Sequence, residues 1–119
     1  MEAICKLKDV YKALYTFEKE FADKNGITIN EGMILCCLKD GSSKSANELC
    51  GFIGLSNSRV SRVINSVEEK GYITRSMGVT DKRQMIFTLT DSGKEKVKEM
   101  LSKDMDLSML GERITKILE

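Results

Sequence analysis

The sequence predicts a mainly α fold carrying one small β-hairpin. Three observations lead there. Apolar residues recur at helical spacing over most of the chain, capping residues and glycines punctuate them at short intervals, and one alternating stretch lies between residues 72 and 89. Taken in order, these elements spell a winged helix-turn-helix flanked by N- and C-terminal helices suited to dimerisation, in a single domain spanning 1–119.

Residues 3–24 form the first helix. Ile4, Leu7, Tyr11 and Leu14 make one apolar stripe, and Val10, Leu14, Phe17 and Phe21 make a second, offset one. One core needs only one face, so the spare stripe is expected to meet a second copy of the chain. Asn25 and Gly26 end this helix. Thr28 and Glu31 have capping-box spacing and open a second helix that should reach Asp40 and stop at Gly41. Residues 42–44 read as a loop. Ser45 and Glu48 form another capping box, opening a third helix with Ala46, Leu49, Cys50 and Ile53 inward and Gly54 at its end. Ser56 is a good N-cap for a fourth helix that runs to Lys70, with Gly71 just past it.

Residues 72–75 then read as a strand, 76–83 as a loop and 84–89 as a returning strand with Met85, Phe87 and Leu89 on one face. A hairpin directly after a helix-turn-helix is the wing of a winged helix. Thr90 starts another helix. A last one is marked by Leu107, Leu110, Ile114 and Ile117, which are expected to dimerise together with Ile4, Leu7, Tyr11 and Leu14. The expected division is therefore dimerisation helices at 1–24 and 91–119 around a winged helix at 28–90.

Composition excludes much chemistry. The 119 residues contain no His, so Ser-His-Asp and Cys-His nucleophile systems are impossible. With no metal-ligand spacing and no glycine-rich phosphate loop either, neither an enzyme nor a bound cofactor or metal is expected. The longest unbroken apolar run, Met33 to Leu38, is far below the roughly 20 residues that cross a bilayer. The first residues, MEAICKLKD, thread charges through apolar positions, unlike a secretory signal. A cytoplasmic, reducing location is expected, and with it Cys5, Cys36, Cys37 and Cys50 as free thiols.

The binding chemistry lies on the fourth helix and the wing. Val60, Val63, Ile64 and Val67 form the inward stripe, while Ser58, Arg59, Arg62, Asn65 and Ser66 occupy the opposite face. No acid precedes Glu68 on this helix. Such a face suits the DNA major groove, where Arg binds guanine, Asn reads adenine and Ser permits close approach. The helix start at Ser56, Asn57 and Ser58 can accept a backbone phosphate. The overall charge of +1 conceals a gradient: 1–43 carry −1, 44–90 carry +3 and 91–119 carry −1. The positive excess coincides with the recognition helix and wing, as a DNA footprint requires. Asp81 and Arg83, two apart, should project from one side of an extended segment and pair, aiming Arg83 at the minor groove, with Lys82 turned toward phosphate.

These residues resemble a known family. The stretch LSNSRVSRVINSVEEKGYITR from Leu55 to Arg75, the triad Asp81, Lys82 and Arg83, and Leu89, Thr90 and Gly93 after five further residues are similar to the MarR family of bacterial transcriptional regulators. The resemblance implies an intertwined homodimer on palindromic double-stranded DNA. It implies that Ser56 to Arg62 lie in the major groove, that Arg83 enters the minor groove supported by Asp81, and that Arg75 is a basic position at the start of the wing. It also implies a repressor released by a small lipophilic or phenolic effector. Two alternatives stay open: a winged-helix module that binds an acidic protein, and a repressor switched by oxidation of Cys5.

Overall fold

The structure is a computed structural model describing residues 2–103 and 107–119. Its elements are α1 (Glu2–Asn25), α2 (Ile29–Cys37), β1 (Lys44–Ser45), α3 (Ala46–Ile53), α4 (Asn57–Glu69), β2 (Ile73–Met77), β3 (Met85–Leu89), α5 (Asp91–Ser102) and α6 (Leu107–Leu118). They form two compact units, one of residues 30–102 and one of residues 1–29 with 103–119.

The larger unit is the winged helix. Leu35, Leu38, Leu49, Val60, Val67, Ile73 and Phe87 are buried in it, drawn from α2 and the turn after it, α3, α4 and both wing strands. The alternation of β2 and β3 explains their part. Ile73 pairs with Leu89 and Arg75 with Phe87 in an antiparallel register, so this face covers the core at one end of the hairpin. At the other end Met77 pairs with Met85, and both are exposed because the hairpin overhangs the core.

Four expectations are corrected here. Helix α2 ends at Cys37 instead of Asp40, since Leu38, Lys39 and Gly41 donate to carbonyls only three residues back, tightening the last turn. Residues 42–44 are not all loop: Lys44 and Ser45 pair with Phe87 and Ile86, giving a three-stranded sheet of order β1-β3-β2. Two residues are too few to show an alternating pattern. Ala46 faces solvent and Cys50 is half-buried, leaving Leu49 as the buried anchor of α3. The first wing strand extends to Met77, so its loop begins at Gly78.

Helix α5 lies in the unit of residues 30–102, with the winged helix. A clamp at its start fixes it there. Thr90 N–H donates to Tyr72 O, Thr90 Oγ1 donates to Gly71 O at 2.6 Å, and Gly93 N–H donates to Thr90 Oγ1 at 2.9 Å. Gly93 lies so near Tyr72 that an added Cβ would stand 2.0 Å from its carbonyl oxygen. Val97 and Met100 then bury the inner stripe of α5.

In the other unit α1 and α6 are in contact, and Gly26, at φ +70°, ends α1 in the left-handed conformation. Ala13 is buried, but Ile4, Leu7, Tyr11, Leu14, Tyr15, Leu107, Met109 and Leu118 are exposed. Leu110, Ile114 and Ile117 are half-buried. None of the described helices is long and apolar enough to cross a membrane.

Candidate nucleic-acid interface

Helix α4 is built from its turn upward. Gly54 closes α3 at φ +79°, donating its N–H to Cys50 O, and no Cβ penalty arises at that left-handed position. Ser56, extended, then caps α4 by accepting from Arg59 N–H. Helix geometry leaves the N–H groups of Asn57 and Ser58 outside the intrahelical ladder, available to an anion. Cys50 stitches the turn: its one S–H proton has two acceptors within reach, Leu55 O at 3.3 Å and Asn57 Oδ1 at 2.8 Å. Sequence reading gave Cys50 only a packing role, because a thiol's partners across a turn have no signature in the chain.

On α4, Val60, Ile64 and Val67 are buried and Val63 half-buried, while Ser58, Arg59, Arg62 and Asn65 are exposed. At 100° per residue Ser58, Arg62 and Asn65 fall within about 60° of one another, on one line along the helix. Ser66, expected on the same face, is instead turned inward. Its hydroxyl donates to Glu31 Oε2 at 2.6 Å, beside Lys70 Nζ at 2.8 Å from both carboxylate oxygens. Glu31 is 3% exposed, so α2 and the end of α4 are joined by a buried carboxylate whose charge is matched. This junction was not legible, since Glu31 reads as a capping-box acid.

Arg75 and Asn65, both expected at the DNA, are bound to each other. The Arg75 guanidinium lies across Glu68, with Nε to Oε2 and Nη2 to Oε1 both at 2.9 Å, and Nη2 also donates to Asn65 Oδ1 at 3.2 Å. Its carbon sits 5.4 Å from the centre of the Phe87 ring. The Glu68 hydrogen bonds raise the Arg75 pKa above its ordinary value, so the charge is secure.

At the wing tip, Gly78 N–H donates to Gln84 O at 2.7 Å and Gln84 N–H to Asp81 O at 3.0 Å. A Cβ on Gly78 would come within 2.6 Å of Asp81 O, so the tip requires glycine. The Asp81 carboxylate accepts from Arg83 N–H at 3.0 Å and Nε at 3.4 Å. The expected pair is present, but the segment is a turn and not an extended strand; the carboxylate reaches forward to the backbone two residues on. Arg83 is 93% exposed, and Lys82 is exposed beside it.

All four cysteines are free thiols; Cys5 is exposed on α1. Burial pushes the Cys37 thiol up, with Lys44 opposing, so it is a poor thiolate at neutral pH. Among the described residues no group of three or more Cys, Asp or Glu is placed to hold a metal ion.

The description of the MarR family matches residues 27–85, which include the helix-turn-helix and most of the wing. The HTH-type transcriptional regulator YdcH of Bacillus subtilis is 37% identical over 57 residues, covering 48% of this chain and 39% of that protein. The HTH-type transcriptional repressor MdtR of Bacillus subtilis is 29% identical over 83 residues, covering 70% of this chain and 54% of that protein. The chain thus spans about half the length, or less, of these two relatives. Among solved structures, reduced AbfR bound to DNA superposes with a TM-score of 0.75 at 25% identity, over 98% of this chain and 91% of that one.

Proposed function

Because the chain belongs to the MarR family, we propose that it is a sequence-specific, double-stranded DNA-binding transcriptional regulator, acting in the cytoplasm as a homodimeric repressor and not as an enzyme. One observation carries this reading. The exposed face of α4 bears Ser58, Arg59 and Arg62 with no acid before Glu68, and it adjoins a wing ending in an exposed, braced Arg83. Positive, donor-rich groups on a protruding helix and hairpin match the two grooves of B-DNA. AbfR, whose fold this chain shares, is described as bound to DNA, and MdtR as a repressor.

In this reading Ser56, Asn57, Ser58, Arg59, Arg62 and Asn65 lie in or beside the major groove. Arg83 enters the minor groove on the support of Asp81, and Lys82 meets phosphate. Arg75 acts from behind the face, through Asn65. The exposed stripe of Ile4, Leu7, Tyr11 and Leu14 and the apolar residues of α6 would be covered in the homodimer, which sets two recognition helices on a palindrome. A small lipophilic or phenolic effector would release the DNA.

Selection from a random DNA pool, followed by binding to the winner across a salt series, tests this. A two-fold palindrome with half-sites about one turn (roughly 34 Å) apart and affinity that falls steeply with salt is expected. No enrichment would reject the DNA reading in favour of a protein partner. Exposed Cys5 and the reduced state named for AbfR favour a second reading of the switch, by thiol oxidation. A Cys5→Ser variant that keeps a full peroxide response, or a wild type with none, would reject it.

A further inference from the structure

We propose that Met77 and Met85, paired across the outer end of the wing, form an apolar docking surface for the deoxyribose edge of a DNA strand. The inference deepens the reading that α4 and the wing tip meet DNA, and rests on it.

Strand register fixes the side of the hairpin that carries them. Ile73 pairs with Leu89, Arg75 with Phe87 and Met77 with Met85, so alternation puts all six on one face. The surroundings change outward along that face. Ile73, Phe87 and Leu89 are buried in the core. Arg75 lies over the Phe87 ring and reaches Glu68 and Asn65 of α4. The next pair outward is exposed, Met77 to 62% and Met85 to 38%. The methionines thus lie on the side of the wing turned to α4, one pair beyond the residue that reaches it. Beyond them comes the tip with Arg83.

That position selects the occupant. If α4 lies in the major groove and Arg83 in the adjoining minor groove, the sugar-phosphate strand that divides the two grooves must cross the hairpin between them, where the methionine pair sits. Its chemistry also fits. Asp81 is the only acid from Ile73 to Thr90, and its carboxylate is taken up by Arg83, while Lys82 and Arg83 are exposed. An apolar surface rimmed by cations complements a chain in which the C–H groups of sugars alternate with phosphates. The unbranched, polarisable methionine side chain adapts to such an uneven surface.

The test measures binding of the full chain to the operator obtained by selection, across a salt series, for wild type, Met77→Ser, Met85→Ser, Met77→Leu and Lys82→Ala. Each Ser variant is expected to lose about three- to tenfold in affinity at every salt concentration. The slope of log affinity against log salt should stay at the wild-type value, because an apolar contact releases no counterion. Lys82→Ala should instead make the slope shallower by about one. Met77→Leu keeps the apolar surface and should bind within about twofold of wild type. Ser variants that bind as wild type does at every salt concentration would overturn the proposal and leave the pair to a protein partner. A loss accompanied by a shallower slope would overturn it too, since the methionines would then act by placing Lys82 and Arg83. Both side chains are exposed, so melting temperatures should hold, and each Ser variant is a probe independent of the other if one folds poorly. Selection that yields no DNA rejects the regulator reading, and this inference with it; an operator bound equally well by both Ser variants rejects this inference alone.

Discussion

Lys70 Nζ lies 2.8 Å from both carboxylate oxygens of Glu31, a residue 39 positions earlier, and the pair fastens the end of α4 to α2. Glu31 is almost completely buried, whereas the Lys70 side chain is 39% exposed. The partners are therefore unequal, and removing one is not equivalent to removing the other.

Lys70→Ala removes the cation that matches a buried carboxylate, and about 3 kcal/mol of stability is expected to go. Glu31→Gln keeps an acceptor for Ser66 and lets Lys70 turn to water, so its cost should be nearer ~1 kcal/mol. Urea unfolding of both variants checks the order.

Gly93 has no room for a side chain. Gly93→Ala would drive a Cβ to 2.0 Å from Tyr72 O and break the Thr90 clamp, at an expected cost above about 3 kcal/mol. Gly111, on α6, has open space around it, and Gly111→Ala should instead add about 0.5–1 kcal/mol through helix propensity. Thermal unfolding of the two variants should move in opposite directions.

The capping box of α3 makes stability depend on pH. Ser45 N–H donates to the Glu48 carboxylate, and Ser45 Oγ accepts from Glu48 N–H, so the carboxyl is held below its ordinary value. A depressed folded-state pKa contributes stability above the unfolded value and loses it as pH falls through the folded one, here on acidification from about pH 5 through and below the ordinary glutamate value of about 4.3. Asp40, lowered by its Ser42 hydrogen bonds, acts with the same sign. Glu48→Gln should unfold with a weaker dependence on pH over that interval than wild type, while retaining the dependence due to Asp40. Melting temperatures at the two ends give the comparison.

Among the described residues, the hydrogen bond and ion pair of the Arg83 side chain go to Asp81 alone. Arg83→Ala should leave the unfolding free energy within about 0.5 kcal/mol of wild type while weakening operator binding by about five- to a hundredfold. Unchanged affinity would remove Arg83 from the interface. Asp81→Ala should produce a smaller loss, because the guanidinium remains but is no longer aimed.

If the exposed stripe of α1 is the proposed homodimer interface, Tyr11→Arg should give a monomer at micromolar concentration, as read by sedimentation, and reduce operator affinity with it. A variant that remains dimeric would place the interface elsewhere.

Much of the candidate site was legible because its signals are local. Ser56 before an apolar stripe, Gly54 at a left-handed cap and Ser45 with Glu48 three residues on all act within one or two helical turns, and the structure has each where the spacing puts it. Asp81 and Arg83 are similarly close, though a turn and not a strand brings them together. What escaped was long-range. Ser66 and Lys70 meet Glu31 across 35 and 39 residues, and Asn65 meets Arg75 from the neighbouring strand.

Sequence pattern alone settled the order of helices and strands, the buried stripe of α4 and the positive character of its open face, since periodicity and capping are properties of adjacent residues. Tertiary packing decided which side chains on that face are free. Ser66 was drawn inward by a buried carboxylate, β1 was made by the open edge of β3, and Asn65 was turned by a guanidinium. A polar side chain takes whichever donor or acceptor the fold brings within about 3 Å, and that partner is set by where the chain returns, not by the residues beside it.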